Sequence, residues 1–391
     1  MVRKLLGNIK GPKGDKGEDV VIHRFNKEYL IPSDFNTLQD ALNHVSVEHV
    51  EQGYKINLVI ESGHKLNSTI ELDGGDYSQI MISSHDEKVE LADTFPKKTF
   101  AIFHGCSAPT INTLIDGKGF INSGSTNLYV NGASTAYVSG GVFTGASRDS
   151  SPDDSTGGAG ITSWGSTVFA ENCDVSGSNR YGVQAAHGGV VSFKNGKADN
   201  SSNLGVRATN NARVDAREST ANDCGTYGVL AIAGGFVSAY SMECRNAGTA
   251  GIYAVGASTV LAYRADVSGS DIGIQVSRSS TVEWYLGVAN GCKTNAINVT
   301  ENSSVNGFGA VIENTGSRNV DHGVTINKGS TVVLSRGTIT GSGGSDVRIN
   351  KGSTANLDEA KTTNSTDWKP MIQDVNATSF NEISSFGIIY G

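Results

Sequence analysis

Tyrosine residues recur at a fixed interval in the second half of the chain. Tyr240, Tyr263 and Tyr285 are separated by 23 and 22 residues, and Arg217 precedes the first of them by a further 23. If residues at this interval lie in register, the rings form one outward column that could contact the C–H faces of sugars. Tyr and Phe stripes also form interfaces between subunits. The column, with Tyr253 on a neighbouring face, is therefore a candidate glycan-binding surface or a candidate trimer interface, and both interpretations remain open.

Several carboxylates lie close to this column in the sequence repeat. Hydrolysis of a glycosidic bond needs two carboxyl groups ~5–5.5 Å or ~6.5–9.5 Å apart, depending on the mechanism. The nearest acids are Asp215, Glu218, Glu243 and Glu283, and a second possible pair is Asp153 with Asp154. Because an acidic repeat brings such pairs together by accident, these acids are weak catalytic candidates, and the catalytic residues remain unassigned.

Lyase chemistry would need a base and cations that neutralise a substrate carboxylate. Lys194, Arg207 and Arg217 fall on successive repeats, but salt bridges with Glu171, Asp215 and Glu218 on the same solvated face explain them equally well. His187 and His322 stand alone in the repeats, and we expect both in turns. The chain has no phosphate-binding Gly-rich loop and no metal-ligand spacing, so we predict neither a cofactor nor a metal site.

Two landmarks with one period reveal the elements that must position these residues. A Gly followed by Ile or Val begins each unit, and a Val occurs eight or nine residues later. The first series is Gly160, Gly182, Gly205, Gly228, Gly251 and Gly273, and it continues at Ala296, Gly323 and Asp346. The second series is Val168, Val191, Val214, Val237, Val260, Val282, Val305 and Val332. The steps of the first series are 22 or 23 residues, with one interval of 27.

The pattern inside each unit is that of strands. Apolar and variable residues alternate, as in Ile252-Tyr253-Ala254, and no segment has room for a helix. An all-strand unit of this length with Gly, Ser and Asn corners predicts one coil of a parallel β-helix, and the chain is therefore all-β. Because stacked coils lie ~4.8 Å apart, residues such as Val183 form an inward ladder. The position three residues after each landmark Val points outward and carries Lys194, Arg217 and the three tyrosines.

The two ends of the chain depart from the repeat. Gly11, Gly14 and Gly17 begin three Gly-X-Y triplets, which indicate either a short trimeric neck or a flexible linker. We expect a helix from Asn36 to Val45, with Asn36 and Gln39 as a capping box, which would cover the open end of the solenoid. The predicted divisions are an attachment tip and neck (1–20), a cap helix with irregular first coils (21–158), regular coils (159–361) and a C-terminal cap or trimerisation tail (362–391).

Composition excludes several functional classes. The net charge of 31 − 39 = −8 argues against sequence-independent binding to the phosphates of a nucleic acid. The absence of an apolar run of ~18 or more residues argues against membrane insertion. The 5 Cys are odd in number and widely spaced, which argues against a disulfide framework and against a zinc site.

Together these segments resemble a known family. The stretch Gly-Pro-Lys-Gly-Asp-Lys-Gly-Glu, the Phe-Asn-Thr-Leu-Gln-Asp-Ala-Leu helix and the stacked coils are similar to bacteriophage tailspikes and tail fibres of the pectate-lyase-like right-handed β-helix group. The resemblance implies a homotrimer that is made in the host cytoplasm, joins phage tail or baseplate proteins of the virion through its N-terminus, and binds a host surface polysaccharide. Two alternatives remain: a polysaccharide depolymerase, acting as a hydrolase or a lyase, and a structural virion appendage without a ligand.

Overall fold

The computed structural model describes residues 22–23, 25–46, 48–86, 88–89, 98–110, 119–121, 126–146, 158–316, 321–350, 352–362 and 387–390. In these residues the chain winds as a parallel β-helix, because strands of successive coils pair side by side in the same direction. Each regular coil contributes one segment to each of three walls. We call these the long-strand wall, the short-strand wall and the third wall.

The long-strand wall is a sheet of 12 described strands. Its strands are Ile70–Asp73, Lys98–Phe103, Thr126–Asn131, Ala159–Trp164, Tyr181–Ala186, Leu204–Thr209, Tyr227–Ile232, Ala250–Val255, Ile272–Ser277, Asn295–Val299, Val324–Ile326 and Val347–Ile349.

The short-strand wall is a sheet of 15 described strands, most of which have three residues in the regular coils. Its strands are Lys27–Ile31, Ile56–Ile60, Ile80–Ser84, Ser107–Thr110, Thr135–Tyr137, Thr167–Phe169, Val190–Ser192, Arg213–Asp215, Phe236–Ser238, Thr259–Leu261, Thr281–Glu283, Ser304–Asn306, Thr331–Val333, Ser353–Asn356 and Gly387–Tyr390.

The third wall is the least regular. It begins with Lys88–Val89, Gly119–Ile121 and Val142–Thr144 and ends with Val288–Asn290, Val311–Glu313, Thr338–Thr340 and Lys361–Thr362. Between these two groups, single bridges join Asp174, Lys197, Thr220, Glu243 and Asp266 of successive coils. A separate two-stranded pairing joins Ile22–His23 to His49–Val50.

The inward side chains form the continuous ladders that the repeat predicts. Val183, Val206 and Val229 pair in register on the long-strand wall and are fully buried. The landmark valines do the same on the short-strand wall, where Val237 pairs with Val260. Since burying one such side chain stabilises the fold by about 1.5–3 kcal/mol, every coil adds to one narrow core, and the predicted all-β solenoid is confirmed.

The recurring glycine of the first landmark is required by packing at a corner of the tube. A Cβ on Gly205 would lie 2.4 Å from the Cβ of Ala221, and one on Gly228 would lie 2.7 Å from the Cβ of Cys244. Distances this short are not tolerated between carbon atoms, so a larger residue would force neighbouring coils apart. The landmark therefore marks the place where the long strand meets side chains of the third-wall segment that follows it in the chain.

A row of buried serines joins successive coils between the long-strand and short-strand walls. The backbone N–H groups of Ser258, Ser280, Ser303 and Ser330 each donate a hydrogen bond to the hydroxyl of the equivalent serine one coil further on, at 3.1–3.3 Å, and the last acceptor is Ser353. These bonds satisfy amide groups that no strand pairing reaches. We call this feature the serine row.

The predicted N-terminal helix is present but begins later than expected. It spans Leu38–Val45, and its N-cap is Thr37, whose hydroxyl accepts a hydrogen bond from the N–H of Asp40 at 3.1 Å. The prediction of Asn36 and Gln39 as a capping box was therefore wrong by one residue. Leu38, Ala41, Leu42 and Val45 are buried in the core of the first coils. That this helix closes the end of the tube stays a prediction.

Several predictions concern residues outside the described ranges. They are the neck glycines Gly11, Gly14 and Gly17, the Asp153–Asp154 pair and most of the C-terminal tail. The four predicted divisions of the chain and the homotrimer stay predictions as well. No helix among the described residues is long and apolar enough to cross a membrane.

Candidate functional site

The structure places the repeated tyrosines in one column at the corner that follows each short strand. The ring centroids of Tyr240 and Tyr263 are 4.6 Å apart with planes at 5°, and those of Tyr263 and Tyr285 are 4.7 Å apart with planes at 15°. Phe308 continues the column at 6.3 Å with its ring tilted by 44°. All four side chains are partly exposed, so they lie on the outer surface, as the register predicts. We call these four residues the tyrosine ladder.

The stacking determines which part of each ring is free. A spacing of 4.6–4.7 Å is that of neighbouring strands, and it leaves no room for a sugar between two rings. The ladder therefore presents ring edges and hydroxyl groups rather than ring faces. The hydroxyl of Tyr285 accepts a hydrogen bond from the side chain of Asn306. Burial and hydrogen bonding to Glu283 raise the pKa of this hydroxyl, which keeps it protonated and able to donate.

A charged group precedes the ladder by one coil. Arg217 forms two hydrogen bonds to Asp215, at 2.8 Å and 2.7 Å, and Lys194 lies 3.7 Å from the same carboxylate. Burial acts to raise the pKa of Asp215, but the hydrogen bonds and charge of Arg217 outweigh it and hold the pKa below its usual value. Such an acid is ionised at neutral pH, so it suits an ion pair and not proton donation to a leaving group.

The structure separates the four candidate catalytic acids. Asp215 and Glu283 share a column on the short-strand wall but are three coils apart, or about 14 Å. Glu218 follows Arg217 in an exposed corner with φ of 59°. Glu243 lies on the third wall, where Arg245 binds both its carboxylate, at 3.3 Å, and that of Asp266, at 2.8 Å. These contacts show that Asp215 and Glu243 are members of ion pairs.

The predicted grouping of Arg207 with Lys194 and Arg217 was wrong. Arg207 lies on the long-strand wall, because it occupies the second position after a landmark Gly and not the third after a landmark Val. Its Nη1 donates to the hydroxyl of Tyr181 at 3.0 Å, and that ring has the guanidinium of Arg180 at 4.8 Å from its centroid. Burial lowers the pKa of Arg207; Tyr181 opposes this effect, and the charge of Arg180 adds to it.

Tyr253 also lies on the long-strand wall, in register between Leu230 and Gln275 as predicted. Its ring is 5.2 Å from that of Tyr227 and tilted by 46°, so the two rings do not cover each other. Its hydroxyl lies 3.1 Å from the hydroxyl of Ser277. The face around it is apolar, with Leu230 buried and Tyr227 partly buried.

The two isolated histidines behave differently. His187 is an exposed turn residue with φ of 51° that stacks on Trp164 at 4.0 Å. His322 was also expected in a turn, and this was wrong, because it lies two residues before the strand Val324–Ile326 and is 95% buried. Its Nδ1 accepts from the N–H of Ser345 at 3.0 Å and its Nε2 lies 3.1 Å from Nη1 of Arg348. Burial and the charge of Arg348 lower the pKa of His322.

Sequence reasoning missed Arg348 although the repeat contains the signal. The second position after each member of the landmark Gly series forms one outward column of the long-strand wall, and we call it the arginine column. Its members are Thr162, Gln184, Arg207, Leu230, Tyr253, Gln275, Asn298, Thr325 and Arg348. Counting this position along the series would have placed Arg207 and Arg348 together.

The described residues show no arrangement for a metal ion and no reactive thiol. They contain no group of three or more His, Cys, Asp or Glu side chains placed to hold a metal. The cysteines are buried and unpaired, and burial raises the pKa of Cys173, Cys224 and Cys292 to about 12. These three thiols are therefore small apolar core residues.

Comparison with known proteins supports the fold. Residues 159–316 match a family model described as the right handed beta helix region. The periplasmic alginate epimerase AlgG has a similar structure, with 10% identity, a TM-score of 0.50, and coverage of 79% of this chain and 77% of the epimerase. At this identity the likeness shows the fold, which is a right-handed parallel β-helix as predicted.

Two further structures are similar over 83% of this chain. The A-module of the mannuronan C-5 epimerase AlgE4 from Azotobacter vinelandii has 10% identity, a TM-score of 0.39 and coverage of 88% of that module. The Dettilon tailspike protein has 13% identity, a TM-score of 0.38 and coverage of 64% of that chain. A comparison of the sequence with curated proteins found no significant match.

Proposed function

We propose that this protein is a receptor-binding tail fibre or short tailspike of a bacteriophage, which binds a host surface glycan during adsorption. The proposal combines the Gly-X-Y segment, a right-handed β-helix shaft and an outward surface suited to sugars. Its fold is shared with AlgG, an epimerase named for a polysaccharide. In the proposed particle, three copies assemble and the N-terminal segment attaches them to the tail.

The tyrosine ladder is the observation that carries the proposal. It places Tyr240, Tyr263 and Tyr285 at the spacing of one coil, with their hydroxyl edges outward. Glu283 and Asn306 lie in the adjacent column and add acceptors and donors. These hydroxyl, carboxylate and amide groups along a rigid wall suit the hydroxyl groups of an extended sugar chain. The rigid stacking also reduces the entropy that binding would otherwise cost.

The contacts of the candidate acids favour binding over cleavage. Asp215 is held in an ion pair with Arg217, and Glu243 shares Arg245 with Asp266. Asp215 and Glu283 are farther apart than either hydrolytic geometry allows. We therefore propose an adhesin rather than a depolymerase.

Two substitutions of Tyr263 test the proposal against its rival, a trimer interface. Tyr263→Ala opens the ladder, whereas Tyr263→Phe keeps the stacked ring and removes the hydroxyl. Val190→Ala, at an exposed apolar position of the same wall, is the matched control. Binding to host polysaccharides is measured on a glycan array, mass in solution by light scattering, and cleavage by the appearance of new reducing ends or unsaturated uronate.

We expect both Tyr263 variants to lose glycan binding at unchanged mass, because the hydroxyl is the contacting group. Dissociation of an oligomer by Tyr263→Ala would instead assign the ladder to subunit contacts. Unchanged glycan binding by both variants would contradict the role of the ladder, and degradation of a bound polysaccharide would replace the adhesin by a depolymerase.

A further inference from the structure

The arginine column carries positive charge without acids, and its two arginines are partly buried. Its nine positions contain two arginines and no acid. Elsewhere in the described coils, Arg217, Arg245, Arg278 and Arg336 each lie within 4 Å of a carboxylate, at 2.7, 2.8, 3.8 and 2.7 Å. Arg213 and Arg264 form no ion pair there, but both are exposed to water, whereas Nε of Arg207 and of Arg348 is buried without a partner. Neither Arg207 nor Arg348 forms an ion pair with an acid of the described residues. The column is therefore a strip of uncompensated positive charge on a protein of net charge −8.

Arg207 is held in place without a counter-ion. Its Nε is buried and has no hydrogen-bond partner, and its Nη1 donates to the neutral hydroxyl of Tyr181. Its guanidinium also lies 5.0 Å from the centroid of the Tyr181 ring, with Arg180 on the same ring. Two guanidinium groups around one tyrosine repel each other, and partial burial of a charge is costly unless an opposite charge accompanies it. An anion bound at Arg207 would supply that charge.

Arg348 also lacks an acceptor for its donor groups, but through a different contact. Because Nδ1 of His322 accepts from the N–H of Ser345, the neutral imidazole carries its proton on Nε2. Nη1 of Arg348, which can only donate, lies 3.1 Å from that Nε2. Two donors therefore face each other, and Nε of Arg348 is also buried without a partner. A carboxylate that reached both donors would satisfy them together.

The distance between the two arginines selects the size of the ligand. They are six coils apart along one column, or about 29 Å. A small anion cannot contact both, whereas an extended polymer can. Between them the column offers the partly exposed ring of Tyr253, followed by the amide and hydroxyl side chains of Gln275, Asn298 and Thr325, while Leu230 beside Arg207 is buried. Apolar patches and hydroxyl-binding groups suit sugars, and the arginines suit carboxylates.

We infer that the arginine column binds an acidic polysaccharide lengthwise, with Arg207 and Arg348 each holding a carboxylate of its uronic acid units. The inference rests on the proposed function, because it names the class of glycan that the shaft would bind. It adds a second surface to the tyrosine ladder, on a different wall. Electrostatic attraction of an acidic polysaccharide to this negatively charged protein would then be confined to the arginine column and would weaken as salt is added.

The test uses the full-length protein and polygalacturonate, with its carboxyl-reduced neutral derivative of the same length and a sulfated dextran as comparison polymers. Affinity is measured by calorimetry for the wild type, Arg207→Gln, Arg348→Gln and the matched control Arg336→Gln, an ion-paired arginine of another wall. Thermal unfolding of each variant checks its fold. Arg207→Lys serves as a second variant that keeps the charge but loses the planar fork.

We expect the wild type to bind polygalacturonate at least about tenfold more tightly than the reduced polymer, and Arg207→Gln and Arg348→Gln each to lose about tenfold. Arg336→Gln should bind as the wild type does, and Arg207→Lys should lie between. Equal affinity for the acidic and the reduced polymer would overturn the inference. So would equal losses in Arg336→Gln, or equal affinity for sulfated dextran, because either would indicate attraction by charge without recognition of carboxylate.

Two further outcomes keep this inference separate from the proposed function. Host glycan binding that is lost in Tyr263→Ala but retained in both arginine variants would overturn the inference and leave the adhesin intact. Polygalacturonate binding that needs both arginines, without binding of any host glycan, would support the inference and count against the adhesin.

Discussion

The short-strand wall and the long-strand wall are built from the same repeat, but they use their outward side chains in opposite ways. On the short-strand wall and its corner, rings cover rings and Arg217 meets Asp215. On the long-strand wall, Tyr227 and Tyr253 are tilted and Arg207 has no acid. Stacked ring faces and paired ions stabilise the solenoid and leave only the hydroxyl edges of the tyrosines for a ligand. A surface with uncompensated charges can gain electrostatic free energy when a ligand of opposite charge binds to it.

The largest expected difference is in the free energy of unfolding, between variants of the tyrosines on the two walls. Tyr263→Ala removes two stacked pairs, each worth roughly 0.5–1.5 kcal/mol, so the free energy of unfolding should fall by about 1–3 kcal/mol. Tyr253→Ala removes one tilted pair and should cost about 1 kcal/mol. Chemical denaturation of the two variants measures this difference. Equal costs would show that stacking does not distinguish the walls.

The next largest effect is the change in the free energy of unfolding when an arginine is replaced in the absence of ligand. Arg207→Met should raise the free energy of unfolding by about 1 kcal/mol, because it replaces an uncompensated, half-buried charge by an apolar side chain of similar length. Arg217→Met should change stability little, since it removes an exposed ion pair. Thermal unfolding of both variants is the measurement. A loss of stability in Arg207→Met would mean that its bond to Tyr181 outweighs the cost of burying the charge.

The pH dependence of stability should report the ion pair at Asp215. The folded pKa of this acid is below its unfolded value, near 3.9. Its stabilising contribution is therefore fully present above the unfolded pKa and is lost as pH falls through the folded pKa. Asp215→Asn should remove at most about 1 kcal/mol at pH 7 and make no difference at the acid end of the titration. A difference between variant and wild type that grows below pH 3 would contradict this sign.

The smallest effect should appear in the salt dependence of binding. Raising ionic strength from ~0.05 to ~0.15 M should weaken binding of polygalacturonate several-fold, because the arginine column attracts it through charge. Binding of a neutral host glycan to the tyrosine ladder should not change, since hydrogen bonds between neutral groups are little screened. Calorimetry at the two salt concentrations checks both. Parallel weakening of the two ligands would indicate that they share one charged surface.

The repeat predicted the fold and the register but not the contacts. The two landmark series, to which Gly205 and Val214 belong, were sufficient to predict stacked coils and the outward position of Tyr240. They could not predict that the rings would stack face to face, since register fixes the position of a Cα and not the rotamer of its side chain. The helix start was misplaced because Asn36 and Thr37 are both good caps, and only the backbone conformation decides between them.

The arginines show where sequence reasoning failed. Arg207 and Arg217 are ten residues apart in the single unit that begins at Gly205, and they were grouped because they were wrongly assigned to successive repeats. Two landmarks define two different walls, so a residue must be counted from the landmark of its own strand. Arg348 was missed for a related reason, because the interval before Gly323 lengthens to 27 residues and the columns were not followed beyond it. The contact of Arg348 with His322 joins neighbouring coils and has no local sequence signature.

The serine row has a consequence for how such a shaft can change its length. Each serine from Ser280 to Ser330 accepts from the coil before it and donates to the coil after it, so all of these coils are equivalent as neighbours. Excising the 23 residues from Ser280 to Asn302 would bring Ser258 against Ser303 and restore the same bond. Duplication or loss of whole units would then lengthen or shorten the particle in steps of ~4.8 Å, without disturbing the alignment of any wall.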